Sequence, residues 1–385
     1  MDITLHPRKL LGTVSAPPSK SMAHRLLICA AFQNKATTLV CPNCNEDIEA
    51  TAECLHALGA NIQRTSEGYV IGPFHSVPTK AVLNCRESGS TLRFLLPIAG
   101  ALGIETTFQL GGRLPRRPLS PLWEEMERMG CQLSRPDPEQ LLCRGKLRPG
   151  AYNIGGSVSS QFISGLMMAL PLINGETSLS ITGRVESRPY IDMTQEMLAR
   201  FADGQADRIE VEGDWSSAAF WLAAEALGSN VDVSGLNLRS VQGDRCITEL
   251  LPKLEKNTTI SAADIPDLIP VLSIVAAANK GAEFTDIRRL RLKESDRVAS
   301  ILAMIKALGG HAEATDNTLT IRGTGLQGGA VDSFGDHRIA MAAAIGATVC
   351  TQPVTILSAE CVRKSYPTFW EEYAQLGGTY EKHLW

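Results

Sequence analysis

The stretch SDRVASILAMIKALGGHAEATDNTLTIRG, residues 295–323, decides the fold. Its first half places apolar residues at helical spacing as far as Leu308. Gly309-Gly310 then ends the helix in the manner of a left-handed C-cap. His311–Ala314 and Thr318–Gly323 read as two short strands, with a turn at Asp316-Asn317.

The same order recurs. Asp47–Leu58 stops at Gly59-Ala60, and Asn61–Arg64 and Tyr69–Gly72 flank a turn at Ser66-Glu67-Gly68. Pro121–Met129 stops at Gly130-Cys131, followed by Gln132–Ser134, a turn near Pro136–Pro138, and Gln140–Gly145. A fourth copy, Pro367–Leu376 with Gly377-Gly378, begins and runs out of sequence. The glycines at 59 and 130 are 71 apart, those at 309 and 377 are 68 apart, and the middle interval is 179. Helices predicted at Thr194–Phe201 and Ile247–Lys256 fill that interval. Six β-α-β-α-β-β units result, and three per domain is the natural division because one unit cannot bury its own face. The two middle units are each about 15 residues short; the expectation is that flexible segments are missing from the numbering, roughly 30 residues in all.

The chain has 385 residues, which fits two or three domains, and its 44% apolar content supplies large cores. Lys plus Arg is 37 and Asp plus Glu is 41, a net charge of −4, so there is no global footprint for nucleic acid or an anionic membrane. The N-terminus has no signal-like apolar run, and the longest apolar stretches are too short to span a bilayer. A cytoplasmic location and ten reduced cysteines are therefore expected. Cys41-Pro42-Asn43-Cys44 is a lone CxxC with neither a second ligand pair nor an evident helix start, and reads as ordinary thiols. Gly323–Gly328 matches GxGxxG, but no helix follows and it reads as a turn.

Five loop-to-helix junctions share one composition: Pro18–Arg25, Glu87–Arg93, Gly156–Gln161, Lys293–Arg297 and Gly335–Arg338. Hydroxyl residues there are ordinary N-caps. Capping needs no cation, however, and four of the five carry Lys or Arg in or beside the first turn. Helix N-termini with such cations suit phosphate and carboxylate. A composite anion site of Lys20, Arg25, Arg117, Arg297, Arg338 and Lys364 follows. Asp267, before an apolar helix, and Glu294, between Lys293 and Arg297, are the acid/base candidates; their plain readings are an N-cap and a solvated charge.

With these residues in place, the whole chain resembles the 5-enolpyruvylshikimate-3-phosphate synthase family. The resemblance rests on Pro18-Ser19-Lys20-Ser21 with Arg25, Ser88-Gly89-Ser90, Arg117-Pro118, Gly156–Gln161, Ser187–Asp192, Gln242-Gly243-Asp244, Ile265-Pro266-Asp267, Lys293–Arg297, Asp336-His337-Arg338 and Lys364. It implies an α/β (α+β) fold of two domains, an inside-out α/β barrel with three β-α-β-α-β-β units each and the active site in the interdomain cleft. The expected domains are 19–211 and 1–18 plus 212–385, with hinges near 18 and 212.

The implied reaction moves the enolpyruvyl group of phosphoenolpyruvate to the 5-hydroxyl of shikimate 3-phosphate, with release of phosphate and without metal or organic cofactor. Shikimate 3-phosphate would be held by Lys20, Ser21, Arg25, Ser159, Ser160, Gln161, Ser187, Tyr190, Asp267, Arg289 and Lys293. Phosphoenolpyruvate would be held by Lys20, Gly89, Arg117, Gln161, Arg297, Arg338 and Lys364. Asp267 would be the base, and Glu294, with Lys20 or His337, would protonate the methylene carbon. A monomer is expected, with no nucleic-acid or membrane partner.

Three positions depart from the family pattern. Arg289 stands where many members carry Asn, Ser90 replaces a Thr, and Phe94 replaces a Pro. The last two neighbour the place where the inhibitor glyphosate competes with phosphoenolpyruvate. The related UDP-N-acetylglucosamine enolpyruvyl transferases carry a reactive cysteine in the loop corresponding to Gly111–Arg117 and a Lys-Asn pair; here the loop has no cysteine and the pair is Lys20-Ser21. A non-catalytic anion-binding protein is the alternative of another class.

Overall fold

A computed structural model describes residues 1–74, 76–202 and 207–383. It divides into a continuous unit, Pro18–Val211, and a split unit, Met1–Pro17 with Glu212–Trp385.

The split unit opens with β1 (Asp2–His6) and β2 (Leu11–Ser15). The continuous unit then runs α1 (Lys20–Ala31), β3 (Thr37–Val40), α2 (Glu46–Ala57), β4 (Ala60–Thr65), β5 (Gly68–Phe74), β6 (Lys80–Asn84), α3 (Gly89–Leu102), β7 (Glu105–Gln109), α4 (Leu122–Arg128), β8 (Cys131–Asp137), β9 (Gln140–Gly145), β10 (Gly150–Gly155), α5 (Ser160–Ala169), β11 (Thr177–Thr182), α6 (Arg188–Ala202) and β12 (Arg208–Glu210). The split unit resumes with α7 (Trp215–Ala226), β13 (Asn230–Ser234), α8 (Ile247–Leu250), β14 (Thr258–Ser261), α9 (Ile269–Ala278), β15 (Gly281–Thr285), α10 (Arg297–Ala307), β16 (His311–Ala314), β17 (Thr318–Arg322), β18 (Gly329–Asp332), α11 (His337–Ala347), β19 (Val354–Leu357), α12 (Phe369–Gln375) and β20 (Thr379–His383).

Four sheets share one order, a parallel pair extended by an antiparallel pair: β12-β3-β5-β4, β6-β7-β9-β8, β14-β15-β17-β16 and β18-β19-β1-β20. In the sheet built from the opening stretch, His311 and Gly281 both pair with Arg322. The copy that ran out of sequence is completed by the other terminus, because β1 lies antiparallel between β19 and β20. Gly309, which ends α10, takes φ +79°, a conformation that favours a residue without Cβ.

The two short units form two-stranded parallel sheets, β10-β11 and β13-β2. In the fourth unit the chain is continuous: a 3-10 turn ends at Glu255, Lys256 donates to the Lys253 carbonyl, and β14 follows at Thr258. In the third unit the corresponding place falls on residues 203–206, outside the described residues. The helix expected over Ile247–Lys256 is α8 followed by a 3-10 turn, Leu251–Glu255. Pro252 has no N–H to continue the α-helical ladder there.

Helices lie inside each unit and sheets outside. Every residue of α11 is buried, and α9 is apolar all round, as a helix at the centre of a domain must be. α7, α9 and α11 pack on one another, with Trp221 stacked on Phe369 at 4.9 Å between ring centroids. In the continuous unit α1, α3 and α5 are the buried helices. Among the described residues no helix is long and apolar enough to cross a membrane.

Candidate active site

The buried helices present their N-termini with the predicted residues on them. In the continuous unit Lys20 and Ser21 begin α1, Gly89 begins α3, and Ser160 and Gln161 begin α5 behind Ser159. Ser88 and Ser159 cap α3 and α5 through their hydroxyls, while Ser19 makes no side-chain cap at α1. Capping and cation placement therefore coexist at these junctions.

The α3 and α5 ends are tied together. Gln161 donates from Nε2 to Ser90 Oγ at 2.9 Å and accepts at Oε1 from Arg93 Nη1 at 2.9 Å. A Cβ placed on Gly89 would stand 2.7 Å from both Arg117 Nη1 and Arg93 Nη1, so this glycine lets two guanidinium groups approach the helix end. Arg93 was not among the predicted ligands; it lies inside one of the five junctions, which was the available signal.

Lys20 Nζ sits 3.0 Å from Asp47 Oδ2 of α2. Behind it runs a hydroxyl chain: His24 Nδ1 to Thr51 Oγ1, Thr51 to Thr91 Oγ1, and Thr91 to Ser88 Oγ, each 2.7 Å. Burial lowers the His24 pKa to about 3, so this histidine is a neutral structural partner. Arg25 is buried and pins α1 in place. Its donors reach Thr194 Oγ1 at 2.7 Å, Ser164 Oγ at 3.2 Å, and the carbonyls of Ser21 at 2.7 Å and Tyr190 at 3.0 Å. The guanidinium lies 4.9 Å from the Phe94 ring centroid, which gives this departure from the family pattern a packing role. Ser187, three residues before Tyr190, is buried at φ +54°, a strained conformation of the kind found at ligand sites.

In the split unit three helix starts converge on one carboxylate. Asp267 precedes α9 but does not cap it; the N-cap position is Leu268. The Asp267 carboxylate instead accepts from Arg297 Nη1 at 2.6 Å and Arg338 Nη2 at 3.1 Å, with Lys293 Nζ at 3.6 Å. Burial pushes this carboxyl up, and Arg338, Lys293 and Arg297 outweigh it, holding the group well below the usual carboxylate range. Arg297, at the start of α10, also donates from Nη2 to Glu294 at 2.7 Å and from Nε to Asp336 at 2.9 Å. Glu294 is therefore an ion-pair partner in a half-buried loop, not a solvated helix charge. Asp336 is fully buried, caps α11 through the Arg338 N–H at 3.0 Å, and accepts from Ser295 at 3.0 Å.

Burial lowers the Lys293 pKa to about 8, with Asp267 opposing the shift. Arg289, in the 3-10 turn Arg288–Leu292, acts on Lys293 as a neighbouring positive charge. His337 is buried as the first residue of α11, and Lys364 is buried at the end of the 3-10 turn Ala359–Lys364. Asp244, whose motif was noted without a role, is buried against Ser216; desolvation, then Asp267, raise its pKa to about 7.

Each unit's cluster can hold anionic groups, and the cluster in the split unit places carboxylates among cations, which suits proton transfer. The profile of the family described as EPSP synthase (3-phosphoshikimate 1-carboxyvinyltransferase) matches residues 5–373. The 3-phosphoshikimate 1-carboxyvinyltransferase of Clostridium kluyveri is 38% identical, the match covering 98% of this chain and 97% of that protein. The enzyme of the same name from Clostridium acetobutylicum is 37% identical, over 100% and 98%. Both alignments, of 414 and 423 positions, are longer than the 385-residue chain, so these relatives carry internal residues that it lacks. Among solved structures, an EPSP synthase of Acinetobacter baumannii superposes with a TM-score of 0.79 at 23% identity, over 99% of each chain. An enolpyruvyl transferase of Streptomyces tendae does so at 0.71 and 14%, over 99% of this chain and 98% of that one. Near-complete coverage, at an identity well above what fold alone needs, settles descent: the chain belongs to the EPSP synthase (3-phosphoshikimate 1-carboxyvinyltransferase) family.

Proposed function

We propose that the protein transfers the enolpyruvyl group of phosphoenolpyruvate to the 5-hydroxyl of shikimate 3-phosphate and releases phosphate, acting in the shikimate route to aromatic amino acids. The observation that carries this reading is the Asp267 carboxylate held between Arg297 and Arg338. Both substrates bear a phosphate and a carboxylate, and these guanidiniums are forks suited to either. An arriving phosphoenolpyruvate competes for the same N–H groups. As Arg297 and Arg338 turn to the substrate, Asp267 loses the partners that hold it acidic and gains proton affinity. Glu294 is released from Arg297 by the same exchange.

The chemistry is addition then elimination. Asp267 takes the proton of the 5-hydroxyl while its oxygen bonds to C2 of phosphoenolpyruvate. Glu294, with Lys20 or His337 as the other candidates, protonates C3. The resulting ketal then breaks its C2–O bond to phosphate, and a C3 proton returns to the base, leaving the enol ether. Lys20, Ser21, Arg25, Ser159, Ser160, Gln161, Ser187, Tyr190, Arg289 and Lys293 serve shikimate 3-phosphate. Gly89, Arg117, Arg297, Arg338 and Lys364, with Lys20 and Gln161, serve phosphoenolpyruvate. Arg93 joins the second group because it shares the Gly89 helix end with Arg117.

The test is phosphate release from phosphoenolpyruvate with shikimate 3-phosphate as acceptor and UDP-N-acetylglucosamine as control. Release with the first alone supports the reading. Release with the control assigns the other transferase, and release with neither assigns a binding protein.

A further inference from the structure

The CxxC motif lies where a thiol pair can react. β3 ends at Val40, Cys41-Pro42-Asn43-Cys44 follows, and Asn45 caps α2 by accepting from the Ile48 N–H at 3.1 Å. The helix-start context that was not evident in the sequence is thus present. Asn43, at φ +53°, turns the chain so that residues three apart face each other. Cys44 Sγ is 3.1 Å from Cys41 Sγ and 2.8 Å from the Cys41 carbonyl oxygen.

Access and surroundings single this pair out. Cys44 is partly exposed and Cys41 is buried. The buried Tyr69 hydroxyl stands beside Cys44. The hydrogen bond between Cys44 and Cys41 lowers the Cys44 thiol pKa, as do Tyr69 and the Arg64 charge, against the cost of burial. Two other thiol pairs are neighbours, Cys54 with Cys85 and Cys131 with Cys143, but all four residues are buried. Burial pushes the partly exposed Cys246 and Cys361 up to about 12.

We propose that Cys41 and Cys44 form a reversible intramolecular disulfide, with a hydroperoxide as oxidant. The Cys44 thiolate attacks a peroxide oxygen; the O–O bond breaks, Cys44 becomes a sulfenic acid, and the departing oxygen takes a proton to leave as water or an alcohol. The Cys41 sulfur then attacks the Cys44 sulfur, the S–O bond breaks, and hydroxide leaves as water with the Cys41 proton. Two thiols lose two electrons and the peroxide gains them. Closing the bond draws the sulfurs from 3.1 Å to about 2.05 Å directly at the α2 cap. That helix carries Asp47, which anchors Lys20, so oxidation raises the KM for phosphoenolpyruvate. The KM link rests on the function proposed above; the disulfide does not.

Full-length protein is treated with hydrogen peroxide, alkylated, digested and mapped by mass spectrometry, with and without dithiothreitol. A Cys41–Cys44 disulfide that forms before Cys54, Cys85, Cys131 or Cys143 react, and that dithiothreitol reverses, supports the proposal. In Cys41→Ser, Cys44 accumulates as a sulfenic acid trapped by dimedone. Alkylation of both thiols after peroxide, or oxidation no faster than at the four buried cysteines, overturns it. A several-fold rise in KM on oxidation, absent in Cys44→Ser, supports the link to Lys20; an unchanged KM in protein carrying the disulfide overturns that link. If the reduced protein shows no transfer at all, the functional reading fails and the peptide map still decides the disulfide.

Discussion

Arg297 Nη1 donates to Asp267 Oδ1 at 2.6 Å while its other nitrogens serve Glu294 and Asp336, so one guanidinium binds both acid/base candidates and the cap of α11. Arg297→Gln leaves the buried Asp336 without its cation. A loss of about 3–5 kcal/mol is expected for breaking such a buried pair, measured by urea denaturation. A loss below 1 kcal/mol shows that Asp336 is compensated from elsewhere.

Asp267→Ala removes the proposed base and leaves Arg297 and Arg338 in place. Turnover falls by about 10²–10⁴, the usual worth of a positioned base, while calorimetry still detects shikimate 3-phosphate binding. Wild-type turnover removes Asp267 from the role.

Lys293, with its pKa lowered to about 8, keeps its charge below that pH and loses it above. Affinity for shikimate 3-phosphate therefore falls as pH rises through about 8. In Lys293→Arg the guanidinium stays charged and that segment of the profile is flat. An identical fall in both proteins assigns the titration to another group.

Gly89→Ala drives a methyl into Arg117 and Arg93, each 2.7 Å from the new carbon. The guanidiniums shift, and KM for phosphoenolpyruvate rises at least about tenfold, the equivalent of 1.4 kcal/mol. The Kd of shikimate 3-phosphate stays within twofold. Equal losses for both substrates point to a general distortion of α3.

Asp244 has a folded pKa of about 7, raised from 3.8. A raised carboxyl binds its proton more tightly in the folded state, so its stabilising contribution is complete at low pH and is lost as pH rises from about 4 through 7. Asp244→Asn mimics the protonated form. It is expected to be more stable than wild type at pH 8, by on the order of 4 kcal/mol, and close to it near pH 4. A constant difference across that range is the opposing result.

The six-unit plan is legible because helix-stopping glycines recur at a fixed interval, a local signal that survives divergence. The cation-bearing junctions are legible for the same reason: caps and first-turn residues are neighbours in sequence. Asp47, Arg93 and Asp336 were not assigned as partners because their contacts join different helices, and spacing along the chain carries no information about that pairing. The choice between cap and charge partner at Asp267 was equally closed until Leu268 was seen at the N-cap position. Pro252 was visible, yet only the folded chain shows α8 giving way to a 3-10 turn.

The placement of β1 bears on biosynthesis. The continuous unit has every one of its strands once residue 211 has left the ribosome, and its closing pair, β12 on β3, lies wholly within it. The sheet that contains β1 has no such timing. Asp2 pairs with His383 and Ile3 with Ile356, so β1, which precedes the continuous unit in sequence, waits for strands that follow it. Translation thus delivers the strands of one unit while β1 of the other still lacks both neighbours, the interval in which a nascent chain of this protein is most exposed to chaperones and proteases.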